Sequence, residues 1–354
     1  MEDLMKTIAL VGCGRISGRH IQVLTQTPGI RLVGVCDVIE ERARKAAEPN
    51  GLPFYTDAME MVKAEKPDMV SILTESGSHA RVAIALAPHV AAVVVEKPMS
   101  LTLEDADELI ETCDRNATRL FVVKQNRYNP PVVKLRKAVE RGAFGKMVIG
   151  TVRVRWCRDQ SYYDQDPWRG TWRDDGGVFT NQASHHIDLL QWMMGPVESV
   201  KAYTATRLVK IECEDTGVAI LRFKSGALGV IEATTGSRPK DLEGSLSLLG
   251  EKGSVVIGGF AVNKLETWNF SDPEMMKEVA EDPSQAVPNV YGLGHQAFYQ
   301  EVLECMETGR NPMLAGLEGR KSLEIINALY ESAATGHEVF LRFVPHSVLL
   351  GRGR

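Results

Sequence analysis

Ile8-Ala9-Leu10-Val11-Gly12-Cys13-Gly14-Arg15-Ile16-Ser17-Gly18 decides how the fold is read. An apolar run ends in two glycines one residue apart, and a segment of helical periodicity follows. That is the setting a dinucleotide-binding turn requires. Gly12 permits the tight turn, and Gly14 lets a pyrophosphate come up to the backbone. The helix opening near Ile16 turns free N–H groups and a positive dipole end toward it. Ser17 stands where the fingerprint has its third glycine, and a small residue there still allows close packing. Taken alone, the same glycines also read as a structural turn.

Around this stretch the first 124 residues alternate short apolar runs with amphipathic ones. Strands are expected at Thr7–Val11, Arg31–Cys36, Met69–Leu73, Ala91–Val95 and Arg119–Val123. Helices are expected at Ser17–Thr25, Glu40–Ala47, Ala58–Glu65, Ser78–Ala87 and Leu103–Arg115. Apolar strands separated by helices predict a parallel sheet covered on both faces, in the order of a doubly wound dinucleotide fold. After Lys124 the pattern changes. One helix, Pro130–Arg141, leads into longer β-branched segments: Val148–Trp156, Ser199–Leu208, Val218–Phe223, Leu228–Ala233, Ser245–Leu249 and Ser254–Ile257. Turns such as Lys224-Ser225-Gly226 separate them, which predicts a mainly antiparallel sheet. Helices at Gly294–Thr308 and Leu317–Ala334 precede a last strand at Glu338–Phe343. The expected class is an α/β Rossmann domain (1–124) plus an α+β domain with a large, mainly antiparallel open-faced sheet (125–345), and a tail at 346–354.

Composition bounds the function. The 354 residues exceed what one core usually organises. The net charge of −5 gives no basic face for nucleic acid. No run reaches the roughly 18 apolar residues of a membrane span, and Met1-Glu2-Asp3 does not open a secretory signal, so a cytoplasmic location is expected. Six cysteines, at 13, 36, 113, 157, 213 and 305, form no Cys-x-x-Cys pair. They read as reduced thiols, and no metal is expected.

Three positions carry chemistry. Asp37 ends the second strand, where an acid accepts hydrogen bonds from an adenosine ribose and repels a 2′-phosphate. The following Val38-Ile39-Glu40-Glu41 offers no early arginine for such a phosphate. This favours NAD over NADP, the alternative role being a helix-capping acid. Lys97, within Glu96-Lys97-Pro98, follows a buried parallel strand, at the edge where open α/β sheets bind ligands. It can stabilise developing alkoxide charge, or it can simply pair with Glu96. Asn181 and His185 lie four apart in a stretch, Gly177–Met194, expected to be helical, so they share a face. Asp188 is three further on and could orient His185. A histidine there can take a hydroxyl proton as hydride leaves, or it can be packed in the core.

On these residues the chain resembles the glucose–fructose oxidoreductase / inositol dehydrogenase (Gfo/Idh/MocA) family, nearly end to end. The matches are Val11-Gly12-Cys13-Gly14-Arg15-Ile16 with His20, Asp37, Thr74 with His79, Glu96-Lys97-Pro98, Arg127-Tyr128-Asn129-Pro130, Gly142-Ala143-Phe144-Gly145, Gly176-Gly177, His185 with Asp188, and Gly336. The resemblance implies a catalytic Lys97 and His185. Many members carry an aspartate where this chain has Asn181, so the polyol-type lysine–aspartate–histidine triad is incomplete here. A narrower likeness fits that departure. Pro167-Trp168-Arg169-Gly170-Thr171-Trp172, Phe179-Thr180-Asn181-Gln182-Ala183-Ser184-His185-His186 and Tyr291-Gly292-Leu293-Gly294-His295 look like the UDP-N-acetyl-glucosaminuronate 3-dehydrogenases. Those enzymes make a 3-keto sugar for bacterial surface polysaccharide, in some cases with NAD reoxidised in place by 2-oxoglutarate. They are typically tetramers joined through the open face of the second sheet.

Arg153, Arg155, Arg158, Arg169 and Arg173 lie among Trp156, Tyr162, Tyr163, Trp168 and Trp172. Arginine forks suit a diphosphate and a carboxylate, and the aromatic rings suit a base or a pyranose. The same residues also fit an ordinary charged strand face. Residues and resemblance together give NAD to Gly12, Gly14, Arg15, Ile16, Asp37, Thr74, His79, Glu96, Lys97 and Asn126. They give a small nucleotide-sugar substrate to Lys97, Arg127, Tyr128, Arg155, Arg158, Tyr163, Trp168, Arg169, Asn181, His185 and His295, with Lys97, His185 and Asn181 at the reacting centre. The alternatives are the same chemistry on a free cyclitol or hexose, or a non-catalytic NAD-binding regulator.

Overall fold

A computed structural model describes residues 5–278, 284 and 294–341 of the chain. Its first sheet contains β1 (Lys6–Val11), β2 (Ile30–Cys36), β3 (Phe54–Tyr55), β4 (Met69–Ile72), β5 (Ala92–Val95) and β6 (Arg119–Val122), in the spatial order β3-β2-β1-β4-β5-β6. Every pairing in it is parallel. Helices α1 (Ser17–Gln26), α2 (Glu40–Ala47), α3 (Ala58–Glu65), α4 (His79–Leu86) and α5 (Leu103–Arg115) connect the strands. Apolar side chains on both faces of the strands explain the arrangement: Ala9, Val70 and Val93 enter one core, and Ile8, Leu10, Met69 and Val94 the other. Helix starts follow local chemistry. Asp57 accepts from Glu60 N to cap α3, and Thr102 accepts from Asp105 N to cap α5.

Helix α6 (Pro130–Glu140) leads into β7 (Met147–Arg155), the short α7 (Gln160–Tyr163) and α8 (Ser184–Met194). Strands β8 (Val197–Ala205), β9 (Thr216–Phe223), β10 (Leu228–Thr234), β11 (Glu243–Gly250), β12 (Gly253–Gly258) and β13 (Lys264–Phe270) follow. Then come α9 (Pro273–Lys277), α10 (Gly294–Thr308), α11 (Gly316–Thr335) and β14 (Val339–Phe340). The second sheet runs β13-β12-β11-β7-β10-β9-β8-β14 and is antiparallel except at β7–β10. One face is covered by α6, α8 and α11, through residues such as Leu135, Ile187, Leu190 and Leu329. The last strand ends earlier than the expected Glu338–Phe343, whose final residues, like the 346–354 tail, lie outside the described ones.

Residues beyond 124 also enter the two cores of the first sheet. Phe298, Tyr299 and Val302 of α10 pack with Ile8 and Leu10 of the first sheet. Helix α11 gives Leu323 to one of these and Ile325, Ile326 and Leu329 to the core of the second sheet. Charge joins the halves as well. Asp188 of α8 takes Lys124 Nζ at 2.5 Å and the Arg127 fork at 2.7 and 2.8 Å, all nearly free of solvent. Burial opposes the charge on Asp188, but the two cations hold its carboxyl far below the usual carboxylate range. Asp188 therefore fastens the halves and leaves His185 to another partner.

Candidate active site

The C-terminal ends of β1, β2, β4 and β5 open into a cleft of ≈ 540 Å³ between the first sheet and the residues around α7 and α8. Gly12 turns the chain at φ +100, and a Cβ there would sit 2.6 Å from the Leu73 carbonyl. Only glycine meets both conditions. Nothing lies within 4 Å of a Cβ built on Gly14, so this turn faces open space. No side chain caps α1, so the positive end of its dipole is not shielded by a capping group. Asp37 accepts from Cys13 N at 2.8 Å and Ile39 N at 2.9 Å, which fixes its carboxylate on the cleft wall. Thr74 and His79 continue that wall, with His79 Nδ1 2.7 Å from Pro98 O and Nε2 3.0 Å from Thr74 O. A neutral ring can donate to only one of these carbonyls, and burial lowers the His79 pKa from 6.5 despite both.

Lys97, Asn181 and His185 meet at the inner end of the cleft. Lys97 Nζ donates to the Asn181 carbonyl at 2.8 Å. Burial lowers the lysine pKa from 10.5, against the charges of Glu96 and Asp175. His185 is buried, and its pKa lies well below 6.5, first through burial and then through the neighbouring lysine. Its Nε2 stands 3.2 Å from Gln125 Nε2. The expected continuous helix from Gly177 is not what forms. Residues Val178–Gln182 make a π turn, and α8 begins at Ser184. Asn181 and His185 reach one cleft through that turn rather than as successive steps of an α-helix. The Asn181 amide donates to Asp175, a buried carboxyl whose pKa burial raises.

Under the Glu96-Lys97 corner lies a buried polar cluster. Glu96 Oε1 is 3.0 Å from His20 Nε2 and 3.9 Å from His295 Nε2, and His20 Nδ1 meets the Tyr299 hydroxyl at 2.7 Å. Burial opposes a charge on Glu96, but the two histidines hold its pKa well below 4.5. Among the described residues these three side chains also form the group whose donor atoms are close enough to hold an ion. The second wall of the cleft is aromatic and basic. Arg169 lies 4.6 Å from the ring centres of both Tyr162 and Trp168, and its Nη1 donates to Tyr162 Oη at 2.8 Å. Arg158 lies 5.4 Å from the rings of Trp156 and Tyr162.

Residues 6–124 match the family model described as "Oxidoreductase family, NAD-binding Rossmann fold", and residues 136–341 match its "C-terminal alpha/beta domain". The chain belongs to the Gfo/Idh/MocA oxidoreductase family. The WlbA dehydrogenase of Bordetella pertussis, solved with NADH and UDP-GlcNAcA, is 41% identical over 96% of this chain and 100% of its own, with a TM-score of 0.89. Among curated relatives, the myo-inositol 2-dehydrogenase of Thermotoga maritima is 32% identical over 73% of this chain and 76% of its own. The D-apiose dehydrogenase of Paraburkholderia graminis is 28% identical over 94% and 89%.

NAD is the cofactor of this Gfo/Idh/MocA chain, and the open glycine turn, the uncapped α1 and Asp37 suit its pyrophosphate and ribose. Of the residues singled out from sequence, Gly12, Gly14, Arg15, Ile16, Asp37, Thr74, His79, Glu96, Lys97, Arg158, Trp168, Arg169, Asn181 and His185 line the cleft. Six others sit elsewhere. Arg127 is buried against Asp188 and instead borders a separate, open groove of ≈ 820 Å³. Asn126 is buried outside the lining, and the Tyr128 hydroxyl is taken by Glu301. Arg155 points from the outer face of β7, forked on Glu232 at 2.6 and 2.8 Å. Tyr163 is buried with its hydroxyl 3.3 Å from Thr235 Oγ1, and His295 lies in the cluster below the floor. Tyr291, Gly292 and Leu293 of the quoted motif fall outside the described residues. Tyr162, one of the aromatics named with the arginines, also lines the cleft, and so does Gln125, which the sequence reading does not single out. Gln125 follows β6 just as Lys97 follows β5, and that strand-end position was the available signal.

Proposed function

We propose that the chain oxidises the C3 hydroxyl of UDP-2-acetamido-2-deoxyglucuronate to the 3-keto sugar, with NAD as the acceptor. The observation that carries this reading is the Arg158–Tyr162–Trp168–Arg169 wall facing Lys97 and His185 across one cleft. Arg158 and Arg169 pair here with Asp241 and Asp166 and keep further donors, for which a diphosphate and a carboxylate offer several acceptors and a free cyclitol no anion. The likeness to WlbA, at 41% identity over almost the whole chain, supports the same substrate class.

Bound NAD supplies the hydride acceptor. Lys97 donates to the reacting oxygen and draws its developing charge. His185, held neutral by burial, takes the hydroxyl proton directly or through Lys97. The main-chain carbonyl of Asn181 aims the Lys97 ammonium, while the Asn181 side-chain amide donates to Asp175. Reoxidation of NAD by 2-oxoglutarate, a place in bacterial surface polysaccharide synthesis, a cytoplasmic setting and a homotetramer belong to the same proposal. The test is single-turnover oxidation of UDP-N-acetyl-glucosaminuronate followed by cofactor absorbance, with and without added 2-oxoglutarate. Reduction of the cofactor by this sugar is the expected result. Reduction by a free cyclitol or hexose alone would overturn the assignment, and reduction by no sugar would point to a regulator.

A further inference from the structure

Asp37, with no arginine in residues 38–41, favours NAD over NADP. One residue further, Arg42 lines the same cleft as Asp37, on the first turn of α2. Arginine at that place is a ready partner for a 2′-phosphate, because its fork binds phosphate oxygens in pairs. The chain therefore holds a cation that could undo the discrimination made by Asp37.

That cation is already engaged. Arg42 Nη2 meets Asp166 Oδ1 at 2.9 Å, across the cleft and across the two halves of the fold. Asp166 is held from its other side, since its Oδ2 accepts from Arg169 Nε at 3.3 Å. Arg169 is itself fixed by the Tyr162 hydroxyl and by two rings. The carboxylate thus belongs to a braced wall and does not simply follow Arg42.

We infer that Asp166 is a specificity-determining residue: by holding Arg42, it withholds the arginine from a 2′-phosphate and adds a second carboxylate to the cleft that Asp37 lines. A 2′-phosphate reaching this wall must break the pair and then face the released Asp166 charge as well as Asp37. The pair itself is half-exposed, and such pairs contribute little to stability. Its effect lies in which anion Arg42 can serve, and like charges nearby penalise the phosphate further. The inference concerns the cofactor site alone and does not depend on the proposed sugar.

The experiment is equilibrium titration of Asp166→Asn and Asp166→Ala with NAD and NADP in the absence of sugar, at one fixed ionic strength. The Asn variant keeps the shape and a carbonyl acceptor for Arg169 while removing the charge. The ratio of NADP to NAD affinity is expected to rise about tenfold in both, the scale of one charge-assisted hydrogen bond. Adding Arg42→Ala should remove most of that gain, leaving only the part that comes from the lost Asp166 charge. A general loosening of the wall would alter both cofactors together and leave the ratio in place. An unchanged ratio in both Asp166 variants, or a gain that Arg42→Ala does not diminish, would overturn the inference.

Discussion

Lys97 and His185 are both driven toward their neutral forms by burial, and each then depends on a close neighbour. Glu96 and Asp175 act against that push on Lys97, while Lys97 itself adds to the push on His185. The family aspartate replaced by Asn181 has not left the site without a carboxyl, because Asp175 stands one hydrogen bond behind the amide. On this arrangement Lys97→Ala and His185→Ala should each lose about a hundredfold or more in turnover while still binding NAD, since neither serves the adenosine end. Turnover assays with a parallel cofactor titration check this, and near-wild-type rates would remove both residues from the chemistry. The pH profile follows from the same shifts. His185 must be unprotonated to accept a proton, and its pKa is pushed well below 6.5, so the acid-side loss of rate should begin well below 6.5. Lys97 loses its charge below the 10.5 of a free lysine, which brings the alkaline limb down as well. Rates measured across pH in wild type and His185→Ala should show the acid limb only in the former.

Helix α8 shows how an element can be half legible. The apolar spacing of residues 177–194 reads as one helix, yet tertiary bonds convert its first turn to a π turn. Glu214 accepts from Phe179 N at 3.0 Å, and its own carbonyl accepts from Val178 N at 3.0 Å, so backbone groups of the turn are satisfied from outside it. No local pattern announces a partner 35 residues away. The strands β3 and β13 were missed for related reasons: β3 is two residues long, and β13 alternates Lys264, Glu266 and Asn269 with its few apolar positions. By contrast α2, α3 and α5 match the expected spans residue for residue, because their amphipathic repeat and flanking residues carry the signal locally. Glu214 makes the π turn testable. Burial raises its pKa from 4.5 to about 7, so its neutral form favours the fold. The associated stability is complete below about 4.5 and is lost as pH rises through about 7. Gln mimics the protonated acid at every pH. Glu214→Gln should therefore melt higher than wild type at pH 8, by at most about 3 kcal/mol, with the difference closing below pH 5. Parallel melting curves at the two pH values that never diverge would show that Glu214 is not protonated in the fold.

At the scale of the whole molecule, the cofactor wall was legible because ligands gather at the C-terminal ends of parallel strands, a rule that needs no side-chain detail. The proposed substrate wall was legible only in part. Strand alternation separates Arg153 and Arg155 from Val152 and Val154 but does not say which face meets the site, and the arginines point away from it. Arg127 pairs with Asp188, 61 residues on, and that pairing joins the halves of the fold. The outer face that Arg155 occupies then gains its own meaning. Val218 and Ile220 of β9 are exposed there, with Tyr203 of β8 opposite Val218 and Val230 of β10 opposite Ile220. Ion pairs of Arg153 and Arg155 with Glu232 and Glu243 flank this strip. A monomer rarely leaves contiguous apolar surface of this kind in water, and a second copy of the same face would cover it. Ile220→Asp puts a charge at the centre of the strip while leaving the inner face, Ala219 and Leu221, in the core. Light scattering should then give a tetramer for the wild type and a smaller species for the variant, with NAD binding retained because the cleft lies on the other side of the sheet. A monomeric wild type, or a variant of unchanged mass, would mean that this face does not join the subunits.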